Sequence, residues 1–209
     1  MVSVAAVVVD GANMTDLQQA FERHLERSRF FATQDKVVVA VSTGVDSMVL
    51  LDLLQHLPSK NRPQIIVAHM NHQLRKQSQL EERFIRQYCK RNDLKLAVAH
   101  WPQTLHPQTG VENAARQARY HFFQEVMKDN QAKILLTAHH QNDLAETMLM
   151  KMTRGGQLSQ LVGIRDRRPF ASGTLIRPLL PFSKQQLKKY ALQHHLKWYE
   201  DKTNKDLNI

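Results

Sequence analysis

Residues 39–47 read Val-Ala-Val-Ser-Thr-Gly-Val-Asp-Ser and join a β-branched run to a leucine-rich one. A turn from a buried strand into a helix exposes backbone N–H groups at the start of the helix, where a phosphate can bind. Ser42 and Ser47 add hydroxyl donors, and Gly44 permits a positive φ angle or a close backbone approach. The lysine of the G-x-x-x-x-G-K-[ST] loop is absent, so the pattern indicates a phosphate loop of another kind.

Strand-like and helix-like segments alternate along the chain with short connections. Capping boxes begin at Thr15, Ser78 and Ser183, and each precedes a helical period of apolar residues. The predicted strands are 36–41, 64–70, 94–99 and 133–138, the longer predicted helices are 46–57, 78–92, 111–129 and 142–154, and 163–180 is expected to be extended around a basic loop. This alternation predicts an α/β, doubly wound, mostly parallel sheet with helices on both faces. The sequence leaves open whether residues 1–12 are ordered.

The polar motifs all follow predicted strands. They are the loop 42–47, the His-Met-Asn-His-Gln-Leu-Arg segment 69–75, and the segment 137–146, which follow the first, second and fourth strands. Ligands of parallel α/β sheets bind beyond the carboxyl ends of the strands. We therefore expect these three segments to meet in one site.

Three carboxylates are candidates for chemistry in that site. Asp46 lies inside the phosphate loop, where a carboxylate repels a phosphate unless a cation intervenes, and this favours a role in holding Mg²⁺. Asp143 and Glu146 lie three residues apart on the first turn of a predicted helix. They either stabilise the helix dipole or bind Mg²⁺ or a substrate ammonium group.

Two basic candidates accompany them. Glu112, Arg116 and Tyr120 recur every four residues on one helix face, which indicates either a solvated ion pair or an arginine that reaches ATP phosphates or the transition state. His69, with Arg75 following, is a candidate nucleotide contact.

Composition narrows the class of partner. Lys and Arg number 29 against 19 Asp and Glu, giving a net charge of +10, which attracts phosphate-rich partners such as nucleic acid. No apolar run reaches the ~18 residues that span a bilayer, and no signal peptide is recognisable, so we expect no membrane association. The single cysteine, Cys89, fits a core position and a reducing, cytoplasmic location.

The loop 42–47 resembles the S-G-G-x-D-S pyrophosphate loop of the PP-loop (N-type) ATP pyrophosphatases, with Thr43 where that family usually has glycine. Further segments resemble the tRNA(Ile)-lysidine synthetase family within that group. They are His-Asn-His-x-Leu-Arg near 71, Glu-x-x-Ala-Arg-x-x-Arg-Tyr at 112–120, Ala-His-His…Asp-x-x-Glu-Thr at 138–147, Arg-Gly-Gly at 154–156, Arg-Pro-Leu-Leu at 177–180 and the tail 200–204. Asn142 stands where the family commonly has a second aspartate.

The resemblance implies that residues 1–209 are a PP-loop catalytic domain and that the family's C-terminal tRNA-binding domains are absent from this chain. ATP would adenylate the wobble cytidine in the anticodon of an isoleucine tRNA, and L-lysine would then displace AMP. Ser42, Thr43, Gly44, Val45, Asp46 and Ser47 would hold the pyrophosphate with Mg²⁺, and His69 would contact ATP. Arg116 would stabilise the pentavalent phosphorus, and Asp143 and Glu146 would hold Mg²⁺ or orient the lysine.

Two alternatives stay open. One is another PP-loop adenylating enzyme, although a tRNA thiolase needs paired cysteines and a GMP or asparagine synthetase leaves the basic charge unexplained. The other is an ATP- or RNA-binding module without full turnover. The basic residues Arg154, Arg165, Arg167 and Arg168 are either contacts for the tRNA backbone or part of a solvated loop.

Overall fold

The computed structural model describes residues 16–73, 77–153 and 165–200. Within these residues no helix is both long and apolar enough to cross a membrane. The helices are α1 (Asp16–Ser28), α2 (Val45–Gln55), α3 (Ser78–Arg91), α4 (Val111–Asp129), α5 (Gln141–Thr153) and α6 (Lys184–Gln193). The strands are β1 (Lys36–Ala40), β2 (Gln64–Asn71), β3 (Lys95–His100), β4 (Ile134–Leu136), β5 (Arg167–Phe170) and β6 (Gly173–Ile176).

The six strands form one sheet in the order β3-β2-β1-β4-β6-β5. Every neighbouring pair is parallel except β5 with β6, which is an antiparallel hairpin at the edge. The α/β, mostly parallel sheet predicted from the sequence is thus confirmed. The hairpin accounts for the extended segments expected in 163–180, and its proline at position 169 suits an edge strand, where a missing N–H costs little.

Helices cover both faces because β1 is apolar on both sides. Val37 and Val39 pack into a cluster with side chains of α1, α2, α3 and α6, whereas Val38 points to the other face, against Phe123 and Met127 of α4. Alternate residues of a strand face opposite sides, so a continuous valine run is what a sheet buried on both faces requires. Cys89 lies in the first cluster, and burial raises its pKa to about 12.

The strand order reverses at β1. The chain runs outward from β1 to β2 and β3, then returns to place β4 on the other side of β1. The loops after β1 and β4 therefore diverge above neighbouring strands and leave a crevice between them, which is where ligands bind in open α/β sheets.

Two local predictions concern helix starts. The capping box at Ser183 is formed, because its hydroxyl accepts a hydrogen bond from the Gln186 N–H and the Gln186 side chain accepts one from the Ser183 N–H. The capping box predicted at Ser78 is wrong. Ser78 is already helical, the preceding Gln77 caps with helical backbone angles, and no side chain bonds there. Residues 1–12, and the box at Thr15, lie outside the described residues.

Candidate functional site: a phosphate-loop cavity at the switch point

The loop after β1 presents the start of α2 to solvent. Gly44 is the cap of the helix, and its carbonyl accepts hydrogen bonds from the Met48 N–H at 3.0 Å and the Ser47 hydroxyl at 2.9 Å. The Ser42 and Ser47 hydroxyl oxygens lie 3.3 Å apart. The first N–H groups of a helix have no acceptor within it, so those of Val45 and the next residues are available to a ligand. Together these donors form an anion site.

The sequence pointed to Gly44 as the residue that permits a positive φ angle in this loop. In the structure the positive φ angle falls on Thr43 instead. Thr43 has φ 69°, whereas Gly44 has φ −68° in an extended conformation. A Cβ placed on Gly44 would meet only the Ser42 hydroxyl at 3.4 Å, an ordinary contact. Thr43 is fully buried, its hydroxyl has no hydrogen-bond partner, and its carbonyl accepts the Tyr199 N–H at 3.0 Å. The glycine usual in related loops thus fits the conformation that Thr43 is forced to adopt.

We expect Thr43→Gly to raise the free energy of unfolding by about 0.5–1 kcal/mol. The left-handed conformation costs a residue with a Cβ roughly 1–2 kcal/mol, and the greater freedom of glycine in the unfolded chain offsets roughly 0.4–1 kcal/mol of that relief. Urea unfolding of the two proteins measures the difference. A loss of stability would mean that packing of the threonine methyl group outweighs the backbone strain.

A cavity of 410 Å³ opens beside this loop. It lies at the carboxyl ends of β1, β2 and β4, as the sequence predicted for the three motifs. Its walls come from the phosphate loop, the end of β2, the start of α3, the middle of α4 and the loop after β4, and they include Ser42, Gly44, Asp46, Ser47, His69, His72, Arg119, Tyr120, His139, Asp143 and Tyr199.

Asp46 and Asp143 contact the same imidazole. Asp46 Oδ2 lies 3.5 Å from His140 Nε2, and Asp143 Oδ2 lies 3.3 Å from His140 Nδ1. The His140 side chain is only 4% exposed, and its backbone N–H donates to Asp143 Oδ2 at 2.8 Å. His140 thus joins the two acidic loops. His140 is not among the site residues predicted from the sequence. Its position between the end of a strand and an acidic first helical turn is the sequence feature that could have indicated it.

This acidic pair fits a magnesium ion. Asp46 Oδ1 is buried in the cavity wall without a hydrogen-bond partner, which makes it a free ligand atom. No cluster of three His, Cys, Asp or Glu side chains able to hold a metal occurs in the described parts of the chain. Mg²⁺ is commonly held by one or two carboxylates together with substrate phosphates and water, so two carboxylates beside a phosphate loop are sufficient.

Arg119, not Arg116, lies in the cavity wall. Arg119 is half-buried and has no carboxylate within 4.0 Å among the described residues. Burial lowers its pKa, as does Arg116, while Tyr120 and Glu112 raise it. Arg116 is exposed, with its guanidinium 5.0 Å from the Tyr120 ring centre. The helix period predicted the right helix but not which of the two arginines faces inward.

Two further predicted residues lie away from the cavity lining. Glu146 is exposed, one turn along α5 from Asp143. Asn142, which stands in place of a second aspartate, accepts the Lys184 N–H at 2.9 Å through its side-chain oxygen. Asn142 therefore holds the start of α6 rather than contributing to the acidic pair.

The histidine near the carboxyl end of β2, His69, favours the neutral ring. The pKa of His69 is lowered by its burial, and its Nδ1 lies 2.8 Å from the Val41 carbonyl, which can only accept a hydrogen bond. In the neutral ring Nε2 is then an acceptor, and this buried atom has no partner in the structure. His69 thus offers an acceptor to a ligand in the cavity.

His72 should make stability fall on the acid side. Burial, with help from Arg119, lowers its pKa from 6.5 to about 4, so the folded state favours the neutral ring. Above pH 6.5 the ring is neutral in both states and does not affect the free energy of unfolding. Between pH 6.5 and 4 the unfolded chain binds the proton and the folded protein does not, so the free energy of unfolding falls as the pH falls, with a slope of up to about 1.4 kcal/mol per pH unit. His72→Gln should flatten the dependence of unfolding free energy on pH over this window. Parallel slopes for variant and parent would refute the assignment.

Comparison with known proteins agrees with this geometry. Residues 13–209 match the family model of a PP-loop domain. A tRNA(Ile)-lysidine synthase of Lactiplantibacillus plantarum is 55% identical over 196 residues, which are 94% of this chain and 44% of that protein. One of Enterococcus faecalis is 44% identical over 89% of this chain and 40% of its own length. The chain thus spans less than half the length of these curated relatives.

Solved structures with low sequence identity share the fold. A U34-tRNA thiolase from Methanococcus maripaludis superposes with a TM-score of 0.71 at 16% identity, over 90% of this chain and 66% of that one. An NH3-dependent NAD synthetase from Campylobacter jejuni gives 0.57 at 12% identity, over 93% and 82%. The family match covers the phosphate loop, the acidic pair and the cavity between them, and the chain therefore belongs to the PP-loop domain family, which implies that it binds ATP.

Proposed function

We propose that this chain uses ATP to activate the wobble cytidine of an isoleucine tRNA and joins L-lysine to it, forming lysidine. The observation that carries the proposal is the cavity in which a phosphate loop, the Asp46–Asp143 pair and Arg119, which has no ion-pair partner among the described residues, converge. The tRNA(Ile)-lysidine synthases related to this chain by 55% and 44% identity supply the choice of substrate.

The phosphate loop would bind the pyrophosphate that leaves. The Ser42 hydroxyl and the N–H groups at the start of α2, from Val45 to Ser47, would donate to it in front of the helix, where the helix dipole also favours negative charge. Asp46 and Asp143 would hold Mg²⁺, which offsets phosphate charge when bound. His69 would accept a hydrogen bond from the base or ribose of ATP through Nε2.

Arginine would stabilise the charge that develops at the α-phosphate. Arg119 is placed for this role because it lines the cavity and has no carboxylate partner in the described parts of the chain. A guanidinium held in a partly dry site interacts more strongly with a developing anion than one in water. Arg116, which lies outside the lining, would act from the mouth of the cavity or after a change in its rotamer.

The acidic side of the cavity would also receive the lysine. Glu146 is exposed one turn beyond Asp143, so the two carboxylates line a route along α5 towards the cavity. An ammonium group drawn along this route must lose a proton before its nitrogen can attack the activated cytidine. The attack forms a C–N bond and expels AMP, which carries away the former carbonyl oxygen of the base.

A net charge of +10 supports a polyanionic partner such as tRNA. Contact with the anticodon region is part of the proposal, because the wobble cytidine lies there. One reduced, buried cysteine is consistent with a cytoplasmic location. A thiolase reaction is the less favoured candidate, since Cys89 is the only cysteine of the sequence and its thiol is buried with a pKa raised to about 12.

Nucleoside analysis of a treated tRNA tests the proposal. The protein is incubated with an unmodified isoleucine tRNA transcript, ATP, Mg²⁺ and lysine, and the tRNA is digested and examined by mass spectrometry. We expect one cytidine to gain the mass of lysine less one water. A transcript with uridine at the wobble position is the matched control and should stay unchanged. An unaltered cytidine alongside normal ATP and RNA binding would leave only the binding-module alternative.

A further inference from the structure

An arginine–aromatic stack stands beside the cavity and shares one residue with its wall. It consists of Arg116, Tyr120, Arg168 and Phe170. The Arg116 guanidinium lies 5.0 Å from the Tyr120 ring centre, and the Arg168 guanidinium lies 5.6 Å from the ring centres of both Tyr120 and Phe170. The two rings contact each other edge to face at 5.5 Å. Tyr120 belongs to the cavity wall, so the stack is continuous with the site.

Among the described residues the positive charge around Tyr120 has no directly paired carboxylate, although Glu112 and Asp166 act on it from a distance. Four guanidinium groups near Tyr120 have no carboxylate within 4.0 Å in the described parts of the chain: those of Arg116, Arg119, Arg168 and Arg177. Other arginines do form such ion pairs, as Arg86 does with Glu82. Arg177 is buried, its Nε has no hydrogen-bond partner, and its pKa is lowered first by burial. Several guanidinium groups that lie close together without directly paired carboxylates repel each other and destabilise a protein unless an anion binds to them.

The positions of these arginines distinguish between two candidate ligands, a nucleotide and a longer polyanion. Arg119 faces the cavity and the phosphate loop, whereas Arg116 and Arg168 lie beyond Tyr120 and do not line the cavity. A nucleotide held by the phosphate loop therefore does not reach Arg168, and it reaches Arg116 only if that side chain turns towards the cavity. A longer polyanion that enters the cavity with one unit and continues past Tyr120 would use both sets.

We propose that the arginine–aromatic stack binds the single-stranded RNA segment next to the nucleotide that enters the cavity. Planar guanidinium and aromatic groups stack on unpaired bases, and the same guanidinium groups bind phosphates. Contact with an aromatic face removes water from one side of each guanidinium and holds it in place. The proposal rests on the proposed function, because it needs an RNA base as the substrate.

The neighbouring Arg167 belongs to a different structure. It points to the opposite side of β5, where it donates to the Ser28 carbonyl at 2.8 Å and lies 5.0 Å from the Phe30 ring centre. Arg167 thus ties the hairpin to the end of α1. Arg154 lies outside the described residues, and Arg168 is placed beside the cavity by its contact with Tyr120.

The test compares Arg168→Gln with Lys128→Gln, which removes the same charge from the exposed far end of α4. Binding of an isoleucine tRNA transcript and of ATP is titrated separately over a range of salt. Arg168→Gln should weaken RNA binding about 5- to 10-fold and reduce the slope of log affinity against log salt by about 0.7–1, with ATP affinity unchanged. Lys128→Gln should change RNA affinity less than 2-fold.

Arg168→Lys separates stacking from charge. It should keep the salt slope and still lose about 3-fold in RNA affinity, because an ammonium group does not stack as a guanidinium does. The proposal would be overturned by equal effects of Arg168→Gln and Lys128→Gln on RNA affinity. It would also be overturned if Arg168→Gln lost ATP affinity as much as RNA affinity, or if Arg168→Lys kept the full RNA affinity of the parent. If the parent chain binds RNA with these sensitivities but forms no lysidine, the proposed function fails and this surface stands.

Discussion

Replacing Asp46 with asparagine should slow ATP cleavage by about two to three orders of magnitude and leave the fold intact. Asp46 Oδ1 is buried at the cavity wall without a partner, and Oδ2 lies 3.5 Å from His140 Nε2. The amide has the same shape but lacks the charge that a magnesium–pyrophosphate ligand requires. We expect AMP formation to fall by about 10²–10³-fold, equivalent to about 3–4 kcal/mol of transition-state stabilisation.

The purely structural role of Asp46 predicts a different result. A first-turn acid that only stabilises the helix dipole is worth about 0.3–1 kcal/mol of stability and nothing in catalysis. Unfolding free energy and AMP formation are therefore measured on the same preparation. Asp129→Asn, which removes an exposed carboxylate at the far end of α4, is the control and should match the parent in both. AMP formation by Asp46→Asn within 3-fold of the parent would remove Asp46 from the mechanism.

Replacing Gly173 with alanine should destabilise the protein by about 2–4 kcal/mol. A Cβ at this position would lie 2.1 Å from the Lys133 carbonyl oxygen, which is backbone and cannot swing away. The same carbonyl accepts the Thr174 N–H at 2.8 Å, so the strand β6 would have to move away from β4. Circular dichroism during urea unfolding measures the loss.

Ala171 provides the matched control in the same turn. It has φ 49°, a conformation that glycine adopts freely, so Ala171→Gly should leave stability unchanged or raise it by up to about 1 kcal/mol. Gly173→Ala adds a methyl group to the hairpin, and Ala171→Gly removes one. If Gly173→Ala cost less than 1 kcal/mol, the close approach of β6 to Lys133 would not be a requirement of the fold.

Periodicity in the sequence predicted most of the sheet. The valine run of β1 and the apolar runs of β2 and β4 gave strands within one or two residues, and 111–129 matches α4 in full. β5 was predicted only as extended chain, because Arg167–Phe170 contains charges and a proline and its position depends on pairing with β6. Local composition does not predict which strand segments pair with each other.

The site was predicted at the level of segments rather than atoms. The three motif-bearing loops meet as expected, since the carboxyl ends of parallel strands share one edge. Two details depended on three-dimensional packing. The positive φ of Thr43 and the burial of His140 between two acids arise from how β1 and β4 lie side by side. Arg116 and Arg119 differ only in their direction from α4, which residue spacing alone did not settle.

One assay tests the central claim most directly: release of AMP from ATP labelled at the α-phosphate, with isoleucine tRNA and lysine each present or omitted. We expect AMP only when both are present, in a one-to-one ratio with lysine joined to tRNA, and about 10²–10³-fold less of it with Asp46→Asn. Release of ADP, or of AMP at the same rate without tRNA, would contradict it.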